Sequence, residues 1–124
     1  MSKFVFQDNS LKLDINDEIF IISPEKMYKN KEFLEIAKEA ESIAEDKDKT
    51  PSVEVLEKLE GMMVKGLDLI LGKGATKKIF KERAINYFDL MDVYAYVIEM
   101  VDDYHREKEQ KKYLLKHRSD EHIN

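Results

Sequence analysis

Apolar and polar residues alternate along the first 22 positions of the chain. The alternating apolar residues are Phe4, Phe6, Leu11, Leu13 and Ile15. Because successive side chains of a strand point to opposite faces, this pattern predicts an antiparallel β-hairpin with one solvated face and a turn at the polar residues 8–10. The β-branched and aromatic run at residues 19–22 predicts a third short strand. A sheet of this size is marginal alone, so we expect it to pack on helices.

Two hydroxyl–proline pairs, Ser23-Pro24 and Thr50-Pro51, are typical of helix starts, because the hydroxyl accepts an unpaired backbone N–H and proline has none to lose. The first pair predicts a short helical turn. Asn30 is a second candidate cap. The apolar residues after Asn30 recur at helical spacing, which predicts a helix over residues 31–46.

A further helix is predicted from residues 50–52 to Gly72, since glycine tolerates the left-handed conformation that often ends a helix. The interior of this helix carries Gly61 and Gly66. Each glycine costs a helix about 1 kcal/mol relative to alanine. We therefore expect either a close approach by another helix or a break at these positions. Residues 75–80 then predict one short helical turn.

The clearest helical periodicity lies near the C-terminus. Asn86 is a suitable cap, and an apolar stripe with steps of four and three residues follows it. The stripe comprises Leu90, Tyr94, Val97, Val101 and Tyr104. Further along, an apolar cluster stands in a highly charged stretch. This cluster, named the overhang here, comprises Tyr113, Leu114 and Leu115. We expect this helix to span residues 86–118 and to fray near Ser119.

These elements predict an α+β fold that is mostly α. An N-terminal β-hairpin or small sheet precedes a bundle of three main helices, of which the last is long. We expect one domain over residues 1–118, with a β-hairpin region at 1–22 and a helical region at 23–118. Residues 119–124 are expected to form a frayed C-terminal tail.

Composition narrows the class of protein. The 124 residues include no cysteine, which excludes disulfides, thiolate metal sites and cysteine nucleophiles. No stretch approaches the roughly 18 uncharged apolar residues of a membrane span, and the N-terminus turns polar too soon for a secretory segment. We therefore expect an intracellular protein with no membrane partner.

The chain is acidic, with 21 basic and 26 acidic side chains and a formal net charge of −5. It nevertheless has two basic runs. The first comprises Lys73, Lys77, Lys78, Lys81 and Arg83, and the second comprises Arg106, Lys108, Lys111, Lys112, Lys116 and Arg118. Glutamates interrupt both runs, whereas a general nucleic-acid binder carries a strongly basic face. A solvated helix surface is the preferred interpretation, and a nucleic-acid-binding module using Lys73 to Arg83 is an alternative.

No residue pattern predicts an enzyme or a cofactor. Gly72-x-Gly74 follows a helix and lacks the further residues of phosphate-binding loops. His105 with Asp102 or Glu109 is the one metal-site alternative, and a solvent-exposed histidine explains that position more simply. The remaining carboxylates of the last helix share that helix, so they do not face each other across a cleft as a glycosidase pair does.

Apolar residues beyond a compact core predict contacts with another protein. Met62 and Met63 cannot both face the core, and methionine suits adaptable binding surfaces. The overhang lies beyond the reach of a core of this size. The candidate partner-binding residues are Leu90, Tyr94, Val97, Val101, Tyr113, Leu114 and Leu115. Burial in the domain is the competing interpretation of the first four, and folding back onto the bundle is the competing interpretation of the overhang.

Residues 69–80, LILGKGATKKIF, carry a resemblance to a known family. A helix that ends in a Leu-Gly pair, a small polar loop and a short Lys-Ile-Phe turn resembles the tail assembly chaperones of long-tailed (siphovirus-type) bacteriophages and prophages of Gram-positive bacteria. The predicted N-terminal hairpin, the acidic amphipathic helices and the long last helix agree with the layout of that family. The resemblance covers most of the chain.

The resemblance implies a binding function without catalysis. Such proteins bind the tape measure protein, the long helical ruler of the tail, and keep it soluble while the tail tube polymerises. The tail tube protein is a second implied partner, and the implied location is the host cytoplasm and not the mature virion. Exposed helix stripes are also compatible with a homo-oligomer, as a ring or filament of copies, although the sequence does not define the oligomeric state. A small phage-encoded regulatory protein that binds another protein is the alternative.

Overall fold

The computed structural model describes residues 2–46 and 50–122, with side chains up to residue 111. The elements in chain order are β1 (Leu11–Ile15), β2 (Glu18–Ile22), α1 (Pro24–Lys29), α2 (Lys31–Glu45), α3 (Val53–Leu71), α4 (Ala75–Phe80) and α5 (Tyr87–His122). The predicted α+β class, with an N-terminal hairpin and a long last helix, is confirmed. Helix α5 continues past Ser119, where we expected it to fray.

The hairpin begins later in the chain than the alternation predicted. β1 pairs antiparallel with β2, and Ile15 lies opposite Glu18 across a two-residue turn. Asn16 and Asp17 have φ values of 53° and 67°, as this kind of tight hairpin turn requires. The predicted turn at residues 8–10 is therefore wrong, and residues 2–10 form no strand. The segment predicted as a third strand is the second strand.

Local polar side chains begin the helices. Ser23 Oγ accepts the N–H of Lys26 at 3.4 Å, and Asn30 Oδ1 accepts the N–H of Phe33 at 3.0 Å, as predicted. Helix α3 instead uses Ser52, whose Oγ accepts the N–H of Val55 at 3.2 Å. Pro51 thus precedes the cap and does not occupy the first helical turn, so the pair Thr50-Pro51 does not repeat the arrangement at Ser23-Pro24.

A carboxylate of α3 begins helix α4, because Gly74 at its N-terminus has no side chain to do so. Asp68 Oδ1 accepts both the N–H and the Oγ1–H of Thr76, each at 2.9 Å. Thr76 is fully buried. Satisfying both donors removes the penalty of burying this polar residue. The corner between α3 and α4 is therefore held by two partly buried hydrogen bonds to Asp68.

One core lies between the inner face of the hairpin and the helices. Leu13 and Phe20 contribute from the sheet, Phe33 from α2, and Leu67 from α3. Helix α3 runs unbroken through both of its glycines. A Cβ atom on Gly66 would lie 2.3 Å from the hydroxyl of Tyr94, whereas a Cβ on Gly61 would meet nothing within 4 Å. Close approach thus explains Gly66 but not Gly61.

We expect Gly66→Ala to lower the free energy of unfolding by about 1–3 kcal/mol, because the new methyl group displaces the Tyr94 hydroxyl from its position in the core. Gly61→Ala serves as the matched control and should raise the same free energy by up to about 1 kcal/mol, since alanine favours the helix and finds open space. Urea unfolding of both variants measures the two changes. Equal effects at the two positions would contradict the packing around Gly66.

Candidate partner-binding site

The predicted stripe of the last helix lies in the core. Leu90, Val97 and Val101 are fully buried, and Tyr94 is 3% exposed. The Tyr94 ring stacks on Phe33 at a centroid distance of 5.1 Å. These side chains therefore fill the domain, and a partner can reach them only if α5 separates from the bundle. Burial is the interpretation that agrees with their positions.

The methionines near the helix stripes are fully or partly buried in the core. Met63 is fully buried, and Met62 is partly buried against the same core. The two neighbours thus face different ways, as their adjacency requires. Met91 and Met100 also pack partly against the core, so these side chains add little free surface.

The overhang lies on the part of α5 that continues beyond the bundle contacts. The backbone of Tyr113, Leu114 and Leu115 is helical, and their side chains lie outside the described residues. The helix carries the overhang away from the buried stripe at about 1.5 Å per residue, so Leu114 is about 20 Å along the axis from Val101.

A groove of about 810 Å³ lies beside α5 and next to the N-terminal segment, residues 3–9. We call it the N-terminal groove. Tyr104, His105 and Lys108 line it from α5, and Pro24 and Glu25 line it from the start of α1. Its position follows from the fold, since α1 and α5 both pack at the same end of the domain.

Three consecutive apolar side chains border this groove and remain open to solvent. Phe4 is 78% exposed, Val5 is 66% exposed and Phe6 is 86% exposed. The rings of Phe4 and Phe6 contact each other edge to face, with centroids 4.8 Å apart. The N-terminal segment is tied to α5 by Lys108, whose Nζ donates to Gln7 Oε1 and to Asn9 Oδ1 at 3.3 Å each. These long, exposed bonds hold the segment weakly.

Aromatic and polar side chains meet beside the groove. The Tyr28 hydroxyl donates a hydrogen bond to Asp102 Oδ1, and the His105 ring packs edge-on against Tyr28 at 4.6 Å. Burial, followed by the hydrogen bond to Asp102 and its negative charge, raises the pKa of Tyr28 to about 12. The hydroxyl therefore remains protonated over the whole physiological range and keeps α1 attached to α5.

Two polar atoms in this region have no hydrogen-bond partner among the described residues. They are the hydroxyl oxygen of Tyr104 and Nε2 of His105, and both are shielded from solvent. A shielded polar atom without a partner costs about 1–3 kcal/mol. Lys108 Nζ lies 5.5 Å from the centre of the Tyr104 ring, so the lysine contacts the ring face. The Tyr104 hydroxyl has no hydrogen-bond partner among the described residues. Two shielded polar atoms beside the groove thus retain unused hydrogen-bonding capacity.

Two carboxylates of α5 make contacts within the domain. Within residues 2–46 and 50–111, no three histidine or acidic side chains are grouped closely enough to hold a metal ion. Asp102 accepts from Tyr28, and Asp103 Oδ1 pairs with Arg106 at 2.5 Å. Asp102 and Asp103 are thus engaged in contacts within the domain.

The two basic runs are partly used within the chain. Arg83 forms a two-point contact with Asp89, at 2.6 and 3.1 Å, which lowers the pKa of the Asp89 carboxyl. Lys81 Nζ donates to the backbone oxygen of Asn16 at 2.9 Å. Lys112, Lys116 and Arg118 of the second run lie outside the described side chains. Lys81 and Arg83 of the first run are thus engaged within the domain.

The alternation of Phe4 and Phe6 predicts one face of a strand, and this prediction conceals the exposed N-terminal residues as a candidate site. Val5 is the signal against that interpretation. A strand with one solvated face needs a polar residue between its apolar residues, and three apolar residues in a row do not supply it.

The raised pKa of Tyr28 predicts a loss of stability in alkaline solution. A proton held more tightly in the folded than in the unfolded protein stabilises the fold fully below about pH 10 and progressively less as the pH approaches 12. We expect Tyr28→Phe to weaken this dependence, as measured by urea unfolding at several pH values across that range. Burial also raises the pKa values of Tyr87 and Tyr94, so part of the dependence should remain.

Asp102→Asn is the matched control for the Tyr28 prediction, because it removes the charge and keeps an oxygen acceptor. Its pH dependence should fall between those of the wild type and Tyr28→Phe. An unchanged dependence in Tyr28→Phe would show that the contact between Tyr28 and Asp102 does not control the effect.

No helix within the described residues is both long and apolar enough to cross a membrane.

Comparisons with known proteins define the family of the chain. Neither a curated protein nor a solved structure shows a significant match. A family model does match residues 7–122, which includes both strands and all five helices. The chain therefore belongs to DUF6673, a family of unknown function.

Proposed function

We propose that the protein is a tail assembly chaperone of a long-tailed bacteriophage or prophage. In this proposal it binds the tape measure protein and keeps it soluble while the tail tube polymerises. It performs no chemical reaction, acts in the cytoplasm of the host bacterium and is absent from the mature virion. The N-terminal groove is the proposed contact with the client.

The observation that carries the proposal is the exposure of Phe4, Val5 and Phe6 beside the groove. Large contiguous apolar surfaces on a soluble domain mark contacts with other proteins. Aromatic side chains supply a large buried area for few lost rotamers, which makes them effective anchors. These residues therefore provide the apolar surface that a chaperone needs for an exposed apolar client.

The length of α5 beyond the groove supports a helical client. The groove reaches α5 at Tyr104, and the helix continues to His122, about 27 Å further along its axis. The overhang lies on this continuation. A surface of this length suits an amphipathic helix, which docks its apolar face at intervals of three and four residues.

The polar atoms beside the groove would fix the orientation of a bound client. The hydroxyl of Tyr104 and Nε2 of His105 lack a hydrogen-bond partner among the described residues, and in this proposal a client that displaces part of the N-terminal segment bonds to them. Few polar groups in an apolar groove fix the pose of a ligand, while apolar contacts supply most of its affinity. The two hydrogen bonds from Lys108 to this segment are long and exposed, so displacing the segment costs little free energy.

The proposed identity of the client rests on the resemblance of residues 69–80 to tail assembly chaperones. In the structure this segment forms the end of α3, a polar loop and the short helix α4. The formal charge of −5 agrees with a chaperone role, because like-charged coated clients repel one another. A regulatory protein-binding module would use the same groove. Gene order separates the two, since a tail chaperone gene lies between a tail tube gene and a very long tape measure gene.

Co-expression with the long helical protein of the neighbouring gene tests the proposal. We expect the wild-type protein to keep that client soluble, and Phe4→Ser/Phe6→Ser to reduce the soluble client about tenfold, as the loss of two aromatic anchors predicts. The soluble client is measured after centrifugation, and the complex is measured by pull-down from the same cells.

Phe88→Ser is the matched control for these substitutions. Phe88 is 75% exposed and lies about 24 Å from Tyr104 along α5, so its loss should leave the client soluble. Leu114→Ser/Leu115→Ser tests the overhang separately. A client that stays soluble with Phe4→Ser/Phe6→Ser, while the variant remains folded, would exclude the groove. A client that never requires the wild-type protein would exclude the function.

A further inference from the structure

The outer edge of β2 presents unpaired backbone groups. The two-residue turn makes Ile15 and Glu18 a hydrogen-bonded pair. Because hydrogen-bonded and non-hydrogen-bonded pairs alternate along antiparallel strands, the other hydrogen-bonded pairs are Leu13–Phe20 and Leu11–Ile22. In an antiparallel pair the intervening residues direct their backbone groups away from the partner strand. The N–H and C=O groups of Ile19 and Ile21 therefore point outward from the two-stranded sheet.

Two grooves run along this edge, between β2 and the C-terminal end of α3. One has a volume of about 480 Å³ and is lined by Ile21, Leu69 and Ile70. The other has a volume of about 260 Å³ and is lined by Ile19, Ile21 and Leu71. Ile21 lines both, so the two grooves adjoin at this residue beside the strand. We call the two together the β2-edge groove.

Apolar side chains are exposed along the β2-edge groove. Ile19 is 54% exposed, Ile21 is 67% exposed and Leu69 is 47% exposed. An edge strand with exposed aliphatic residues favours the addition of another strand, because added backbone hydrogen bonds and buried apolar area act together.

Lysines surround the β2-edge groove on a chain that is acidic overall. Lys26 lines the first groove, and Lys73 and Lys78 line the second. Across the described part of the chain, none of these three side chains makes a hydrogen bond or ion pair. Glu18 is the one acidic residue in the described lining. The groove therefore favours a ligand with negative charge.

We propose that the β2-edge groove binds an extended acidic segment of another protein, which adds to the sheet as a third strand. The backbone of the segment pairs with Ile19 and Ile21 at the usual strand spacing of about 4.8 Å. Its alternate residues are aliphatic and continue the exposed face of Ile19 and Ile21. The residues between them are carboxylates that approach Lys73 and Lys78.

Charge distinguishes this occupant from a second copy of the chain. Pairing two β2 edges around a two-fold axis would place the lysines beside one groove close to those of the other copy, and like charges oppose such a contact. A nucleic acid fits less well, because aliphatic side chains line the groove and offer bases no aromatic platform for stacking. The proposal does not depend on the tail assembly function.

Binding of a defined peptide to the full-length protein tests the inference. The probe is a fluorescein-labelled, amidated peptide of sequence Glu-Val-Glu-Val-Glu-Val-Glu, measured by fluorescence anisotropy at low and moderate salt. We expect saturable binding that Lys73→Glu/Lys78→Glu weakens at least about tenfold. Lys38→Glu/Lys58→Glu makes the same change in net charge at exposed lysines outside the groove and should leave binding within about twofold.

The strand geometry has its own test. Hydrogen exchange of the Ile19 and Ile21 amides, followed by NMR, should slow at saturating peptide, because both N–H groups become bonded. Ile21→Pro removes one outward N–H without removing a bond to β1 and should reduce binding at least about tenfold. Lys12→Pro makes the equivalent change opposite Ile21, on the other edge, and should retain binding.

Four results would overturn the inference. The first is absence of peptide binding at low salt. The second is unchanged exchange of the Ile19 and Ile21 amides at saturation, which would indicate adhesion by charge alone. The third is displacement of the peptide by an equimolar oligothymidylate. The fourth is a wild-type dimer that Ile21→Pro converts to a monomer, which would assign the edge to a second copy.

Discussion

Tyr94 joins three helices of the protein through one side chain. Its ring stacks on Phe33 of α2, its hydroxyl donates to the backbone oxygen of Met63 at 2.7 Å, and its own backbone belongs to α5. Gly66 leaves the space in which the hydroxyl lies. Burial raises the pKa of Tyr94 well above its ordinary value, and the nearby charge of Asp68 adds to this effect. The position of α5 against α2 and α3, and therefore of the N-terminal groove, depends on this contact.

Local features of the fold could be predicted from the sequence because their causes are local. Ser23, Asn30 and Asn86 each accept an N–H three residues further on, and such caps depend only on the residue type and its near neighbours. The turn at Asn16 and Asp17 is local too. It was overlooked because the predicted hairpin placed its turn at residues 8–10, although the residues at 16 and 17 are suited to positive φ.

The nonlocal features could not be predicted in the same way. Gly61 and Gly66 lie on one helix and look alike in sequence. They differ because Tyr94 packs against Gly66, whereas nothing packs against Gly61. The stripe from Leu90 to Val101 has the period expected for a core and for a partner surface alike. The N-terminal groove and the β2-edge groove bring together segments distant in the chain, so their existence depends on packing that periodicity does not report.

Asp68 connects the edge of the domain to its centre. The same carboxylate that holds Thr76 at the start of α4 also raises the pKa of the Tyr94 phenol. Movement of the α3–α4 corner, which carries Lys73 and Lys78 of the β2-edge groove, would change the electrostatic potential at that phenol. One carboxylate thus couples the surface of the domain electrostatically to the contact that joins its helices.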